Sequence, residues 1–409
     1  MKITEMLDLV GVRRHPAGAG PRALRQVFTT ADLGRKARRA LPQPVVDYLD
    51  GGADAETSLA ANEAAFRSFR FRPAALRDVT TVDTGTTFLG SDYALPLGLA
   101  PTGYTRMISP LGETAVLAAA TRARVPYVLS TMATTTIEEL AGTGPRPEDL
   151  WFQLYVLKDR GMTHDMVRRA ADAGSPVLEI AVDTAVSGNR LRDRRNGLTI
   201  PPRMTLSTLF DIGLKPGYWA RMSTQPALDF SNIRASDTTG RFSGGSIADI
   251  SAQFDPAVTW DDVARIRELW PHKLVLKGTL GAADAATAGS LGVDGIHLSN
   301  HGGRQLDQTV PPVHLIQDVR QAVGPDVAVL VDSGVRTGTD IAICLALGAD
   351  AAFIGRPYLW ALSAAGEAGV GHVIGILGDE LRRTMALLGV TSIAELREQG
   401  PALLDPARR

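Results

Sequence analysis

After residue 90 the chain reads as eight short apolar runs in series, most of them separated by stretches of helical character. This alternation limits the fold more than any other feature. The runs are Leu95–Ala100, Tyr127–Ser130, Trp151–Tyr155, Val177–Asp183, Leu274–Lys277, Gly295–Asn300, Val327–Asp332 and Ala351–Ile354. Each is rich in Val, Ile, Leu or aromatic residues, as strands covered on both faces must be. Eight such units predict an α/β fold, a closed (β/α)8 TIM barrel over about residues 91–378. An open doubly wound sheet is the structural alternative. Ser109-Pro110 reads as a helix opening with Pro at its first position.

An N-terminal helical segment precedes the barrel. A helix capped by Thr29 or Thr30 is expected to run to about Leu41 and to end at Pro42 and Pro44. A short helix over Val45–Asp50 then stops at Gly51-Gly52. Residues 1–26, rich in Arg, Pro and Gly, read as a solvated arm, and residues 27–409 as one domain. The regular spacing breaks once, where about 90 residues separate the fourth run from the fifth. Residues 190–270 therefore read as an insertion at the catalytic end, with a mobile lid expected over 215–250. Trp219 and Phe230 are expected to pack against the barrel.

Composition removes several classes. Net charge is −1, so there is no basic footprint for nucleic acid. Cys344 is the only cysteine, which excludes internal disulfides, multi-cysteine metal sites and a covalent haem motif, and fits a reducing, cytoplasmic setting. No signal-peptide pattern or apolar run of roughly 18 residues is evident, which leaves room only for peripheral membrane contact.

Barrel catalysis sits at the C-terminal ends of strands, so the polar residues after each run are the candidates. They are Gln153 and Tyr155, Asp183 and then Arg190, Lys277, the stretch Ser299 to Asp307, Asp332 to Arg336, and Gly355-Arg356. The last two groups read as a phosphate site, where small residues let backbone N–H groups approach and Arg336 and Arg356 supply charge. His301 is the natural proton shuttle, Asp183 can orient it, and Arg304 can grip a carboxylate. Lys277 would be costly to bury unless it faced an anion; a Schiff-base lysine in a phosphate-binding lyase or isomerase is the competing role. His297 and His301 have i,i+4 spacing, but the flanking residues argue for a strand, and no metal site is expected.

Ser299-Asn300-His301-Gly302-Gly303-Arg304-Gln305-Leu306-Asp307 closely resembles the signature of the FMN-dependent 2-hydroxy-acid oxidase and dehydrogenase family. Matching blocks include 46–53, Ala100-Pro101-Thr102-Gly103, Phe152–Tyr155, Val182-Asp183-Thr184 and Ile354–Pro357, so the likeness runs over roughly 28–395. The stretch Gly188–Asp193, with Arg195-Asn196-Gly197 and Ile200-Pro201-Pro202, is most similar to bacterial quinone-linked L-lactate dehydrogenases. The resemblance implies oxidation of an L-2-hydroxy acid to the 2-keto acid, and a homo-oligomer, a tetramer in many relatives. With no haem motif in the chain, electrons are expected to pass to an external acceptor: a quinone, oxygen or another protein. It implies His301 as base with Asp183 and Tyr155, and Tyr48, Arg190 and Arg304 on the substrate carboxylate. It implies FMN contacts from Pro101, Thr102, Gly103, Ser130, Gln153, Lys277, Ser299, Asp332, Gly334, Arg336, Gly355 and Arg356. Three departures stand out: Ala181 where many relatives carry threonine, Met132 for a tryptophan of glycolate oxidases, and Gly103 for an alanine.

Overall fold

The computed structural model describes residues 22–144, 146–196, 213–226, 228–237 and 252–406. Eight parallel strands close into a barrel. They are β1 (Leu97–Leu99), β2 (Tyr127–Ser130), β3 (Leu150–Leu154), β4 (Val177–Ala181), β5 (Lys273–Gly278), β6 (Gly295–Leu298), β7 (Ala328–Val331) and β8 (Ala351–Ile354). Each pairs with its sequence neighbours, and β8 closes on β1 through Ala352 opposite Leu97. All eight expected runs are strands, in the expected order. The open-sheet alternative does not hold.

Strand period two explains what fills the barrel. On β4, Leu178 and Ile180 face outward into the main core, while Val177 faces inward. Val128, Trp151, Val177, Val275, Leu330 and Phe353 form a separate inner cluster. Phe88 and Tyr93, from a two-stranded hairpin (Thr86–Phe88 with Ser91–Tyr93), belong to that cluster and close the lower end. The same alternation puts five polar side chains inside the barrel above this floor: Ser130, Gln153, Glu179, Lys277 and His297, all buried.

The N-terminal helices cover the barrel mouth. Thr29 and Asp32 form a reciprocal cap for the helix Thr30–Ala40. Pro44 does not end that helix; it lies in the first turn of the next, Gln43–Asp50, where its missing N–H costs nothing. The helix Thr57–Ala65 is capped from far away in sequence: Asp307 accepts from Thr57 N at 3.2 Å and Ser58 N at 2.7 Å. Residues 22–24 form a single 3-10 turn, and Leu24 and Val27 are buried in the core. The described end of the arm is therefore docked rather than solvated.

Two further expectations need correction. Ser109-Pro110 does not open a helix: the helix runs Gly112–Ala123, capped by Leu111, and Ser109 ends the preceding short turn, Thr105–Ile108. The stretch 190–270 is not all insertion, since Trp260–Leu269, capped by Thr259, is the helix that leads into β5. Within it, the described residues 215–226 and 228–237 contain the helices Pro216–Met222 and Ser231–Ser236. Phe230 and Ile233 are buried, Phe230 packs edge-on against Tyr104 at 4.4 Å, and Trp219 packs on the core. These described residues are ordered as helices whose apolar side chains pack on the barrel, as expected for Trp219 and Phe230. Residues 238–251, the remainder of the expected lid, lie outside the described residues, as do 1–21 and the motif from Gly197 to Pro202. The helix Arg356–Leu388 is long and apolar enough to cross a membrane, yet it breaks at Ala365-Gly366 and packs against Thr30–Ala40 and Gly112–Ala123.

Candidate active site

The β6 turn builds the centre of the site. His301, Gly302 and Gly303 all have positive φ, at 58°, 65° and 74°. For histidine that conformation costs on the order of 1 kcal/mol. It is held by His301 N donating to Ser299 Oγ at 3.0 Å and by Ser333 Oγ accepting from Gly302 N at 3.0 Å. A reciprocal amide pair between Asn62 and Asn300, at 2.7 and 2.8 Å, ties the N-terminal helices to the same turn. Gln305 binds the loop after β4, donating to the Asp183 and Val186 carbonyls and accepting from Gly188 N. Gly188 has to be glycine there, because a Cβ would come within 2.1 Å of the Arg304 carbonyl oxygen.

The turn aims His301 at two partners. Both oxygens of Asp183 lie 3.2–3.3 Å from Nδ1, and the Tyr155 hydroxyl lies 3.2 Å from Nε2. An acceptor-only carboxylate at Nδ1 fixes the tautomer with the proton on that nitrogen. Nε2 is then free to accept a proton. Burial raises the Tyr155 pKa, with Asp183 adding to it, so its phenol stays neutral.

Two arginines flank this group. Arg304 stacks over Tyr48 at 4.9 Å and donates from Nη1 to the Tyr48 and Gly51 carbonyls. Burial and the nearby Arg190 lower its pKa, a mark of crowded positive charge. The one carboxylate among them is Asp193, 3.8 Å from Arg190, and burial raises its pKa. The neighbourhood favours an incoming anion.

An open cavity runs from these residues to the ends of β7 and β8. Its lining includes Tyr48, Pro101, Thr102, Gly103, Ser130, Met132, Tyr155, Arg190, Lys277, His301 and Arg304, then Asp332, Gly334, Arg336, Gly355 and Arg356. Arg356 makes three hydrogen bonds, all to carbonyls (Leu49, Gly302 and Gly51), and no ion pair among the described residues. Burial, Arg304 and Arg336 push its pKa down to about 9. Arg336 is bound by Glu63 at 2.9 Å and lies over Trp360. Gly334 has φ 101°, and a Cβ there would meet Asn62 O at 2.3 Å. Lys277 is ion-paired to Asp332 at the cavity wall.

Most of the expected site residues therefore share one cavity. Three stand apart from its wall. Gln153 is buried behind Ser130, accepts from Ser130 Oγ at 3.1 Å, and has no partner for its Nε2 among the described residues. Ser299 is buried beneath the β6 turn and is engaged by His301 N rather than by the cavity. Asp183 stands behind His301 and borders a second, larger opening. Sequence reasoning missed Glu179 and reached His297 only through its spacing. His297 Nδ1 lies 2.5 Å from Glu179, and its Nε2 lies 3.3 Å from Lys277 and 3.4 Å from Asp332. The signal was an acidic residue and a histidine at inward positions of otherwise apolar strands.

The chain matches the family model described as FMN-dependent dehydrogenase over residues 37–402. It is 43% identical over 396 residues to a putative L-lactate dehydrogenase of Mycobacterium tuberculosis, covering 97% of this chain and 94% of that protein. It is 41% identical to a 4-hydroxymandelate oxidase of Amycolatopsis orientalis, covering 90% and 96% of the two chains. The crystal structure of a monotopic membrane protein, (S)-mandelate dehydrogenase, superposes with a TM-score of 0.87 at 36% identity, over 93% of this chain and all of that one.

Proposed function

The chain belongs to the FMN-dependent dehydrogenase family, and from that premise we propose how its cavity oxidises an L-2-hydroxy acid to the 2-keto acid. The residues present fit the cofactor on two counts. Arg356 is a crowded cation with only carbonyl partners, as suits a phosphate. The Gln153 Nε2, buried beside Ser130, has no partner among the described residues, as suits a polar ring edge. Arg336, Arg356, Gly334 and Gly355 would hold the phosphate, and Asp332 the ribityl hydroxyls. Lys277 would stand at the pyrimidine end of the ring, with Pro101, Thr102, Gly103 and Ser130 along it and Gln153 behind Ser130. Bound FMN supplies the two-electron acceptor for the substrate's C2 hydrogen.

The protein supplies position and proton transfer. Arg304 and Arg190 bind the substrate carboxylate, with Tyr48 beside them. Neutral His301 accepts the hydroxyl proton at Nε2, where Tyr155 now donates. The cation formed is stabilised by Asp183 at Nδ1. The contact of Tyr155 and Asp183 with opposite nitrogens of one imidazole is the observation that carries this reading. A lyase using Lys277 as a Schiff base is disfavoured, because that ammonium is buried against Asp332 and its pKa is raised.

Electrons leave to an external acceptor, and a peripheral site on a membrane is supported by the structural relative described as monotopic. We assign the chain to a homo-oligomer on the family likeness. The test is anaerobic mixing with a panel of L-2-hydroxy acids. Lactate-like or mandelate-like acids should bleach the bound flavin; protein that stays yellow with every one would overturn the reading.

A further inference from the structure

Below the cavity, four buried ionisable side chains run in a row across the inside of the barrel. Glu179 on β4 contacts His297 on β6, and beyond it Asp332 after β7 and Lys277 on β5 lie side by side, paired with each other and 3.4 and 3.3 Å from His297 Nε2. Glu179 and His297 are fully buried, and Lys277 and Asp332 are less than one-tenth exposed. Only Lys277 and Asp332 reach the cavity wall. The other groups facing the row are Asp183, which acts on Lys277, and the ring of Phe353, 4.8 Å from the His297 ring.

The charges alternate if the imidazole is protonated. Glu179 Oε2 takes one imidazole N–H at 2.5 Å, and Asp332 lies 3.4 Å from the other nitrogen. Glu179 Oε1 has no partner among the described residues, so its charge is directed at His297. Two cations and two anions then leave the barrel interior neutral, whereas a neutral imidazole would leave one buried anion uncompensated. Lys277 Nζ also lies 3.3 Å from His297 Nε2, where a neutral imidazole could accept from it, so the charge balance with the two carboxylates is what favours the cation. Burial and Lys277 oppose the charge on His297, but Glu179 and Asp332 outweigh them and raise its pKa. Asp332 is held well below the usual carboxylate range by Lys277 and His297, against its burial.

We propose that Glu179 and His297 are positioning residues for the flavin site: His297 stands as an imidazolium, shares the charge of Asp332, and so leaves the Lys277 ammonium free to face the ring. A carboxylate bound by Lys277 alone would neutralise it and draw it toward β7. Divided between two cations, Asp332 anchors Lys277 without cancelling its field. Glu179 is the counter-ion that keeps His297 charged. The inference rests on the reading of Lys277 as a flavin contact.

The holoenzyme tests it through the midpoint potential of bound flavin, the dissociation constant of FMN and the protonation state of the histidines followed by 15N NMR. Wild-type His297 should carry protons on both nitrogens at pH 7; a neutral imidazole there overturns the proposal. His297→Gln should make the potential more negative and weaken FMN at least tenfold. That variant leaves Glu179 unpaired and can fail to fold, so Glu179→Leu with His297→Leu is the decisive one, because apolar replacement of both partners of a buried pair is tolerated. It should fold and show the same two shifts; wild-type potential and affinity would reduce the pair to core packing and overturn the proposal. Lys277→Met separates the premise from the inference. A lowered potential in Lys277→Met alone sinks the positioning role and keeps the flavin contact, while no change in Lys277→Met sinks both.

Discussion

Asp183 and His301, 118 residues apart in sequence, meet where the loops after β4 and β6 converge, with both carboxylate oxygens 3.2–3.3 Å from one imidazole nitrogen. The pairing fixes the tautomer and provides the charge that a protonated imidazole needs. His301→Gln should slow anaerobic flavin reduction about 10²–10⁴-fold while FMN stays bound. Asp183→Asn keeps the shape and loses the charge, so it should slow the same step. The losses should not add in the double variant, because the two residues act as a unit. Single-turnover bleaching reads this half-reaction without the acceptor, and near-normal bleaching in His301→Gln would place the base elsewhere.

Arg304 uses Nη1 on two backbone carbonyls, and its other guanidinium nitrogens make no hydrogen bond among the described residues. That edge is free for the substrate carboxylate we propose it binds. Truncating a buried charge partner of this kind costs roughly 2–5 kcal/mol. Arg304→Lys keeps the charge but loses the planar fork. The variant should raise the KM for the hydroxy acid and slow reduction; unchanged steady-state and single-turnover constants would remove Arg304 from the carboxylate site.

The barrel and the mouth were legible because their signals are local. A buried strand announces itself by an apolar run, and the turn after β6 by small residues beside a histidine. What escaped depends on long-range partners. Asp307 caps a helix some 250 residues away, and no window of sequence reveals that. Glu179 sits inside Val-Leu-Glu-Ile-Ala, where an apolar run hides an inward acid until its histidine partner across the barrel is known. Ser109-Pro110 misled because a Pro-initiated helix and a Pro-containing turn share one dipeptide. Over the described residues 215–226 and 228–237, polar, turn-rich composition hid two short helices, because only the packing of Tyr218, Trp219 and Phe230 on the barrel reveals them.

Removal of the cofactor should expose the charge crowding of the proposed phosphate site. Arg304 and Arg336 both lower the pKa of Arg356, and of the three only Arg336 has an ion pair among the described residues, to Glu63. Apoprotein should melt below holoprotein, and FMN at 100 times its Kd should restore about 2.7 kcal/mol. Inorganic phosphate should recover part of this in wild type and none in Arg356→Gln. Equal phosphate stabilisation in both proteins would place the anion away from Arg356.

Gly334 combines φ 101° with a gap that a Cβ would close to 2.3 Å from Asn62 O. Gly334→Ala therefore has to displace either the β7 loop or the helix Thr57–Ala65. The variant should lose on the order of 1–3 kcal/mol in stability and bind FMN more weakly. A wild-type melting temperature with tight FMN would show that the loop relaxes freely.

Asp332 links the phosphate end of the cavity to the buried row beneath it, and its carboxylate answers two cations. Lys277 and His297 hold its pKa well below 3.8 despite burial. A carboxylate depressed in the folded state contributes stability that is fully present above its unfolded pKa, about 3.9, and is lost as pH falls toward the folded value. His297 has the opposite sign: its raised pKa contributes stability present below about 6.5 and lost as pH climbs through the folded value. Asp332→Asn leaves Lys277 and His297 with Glu179 as their remaining close counter-ion and should cost about 3–5 kcal/mol at pH 7. The gap between variant and wild type should narrow as urea unfolding of the apoprotein is repeated from pH 5 down to pH 3. A gap that stays constant across that range would mean that Asp332 contributes shape alone, and that its charge is not what holds Lys277 and His297 in the barrel.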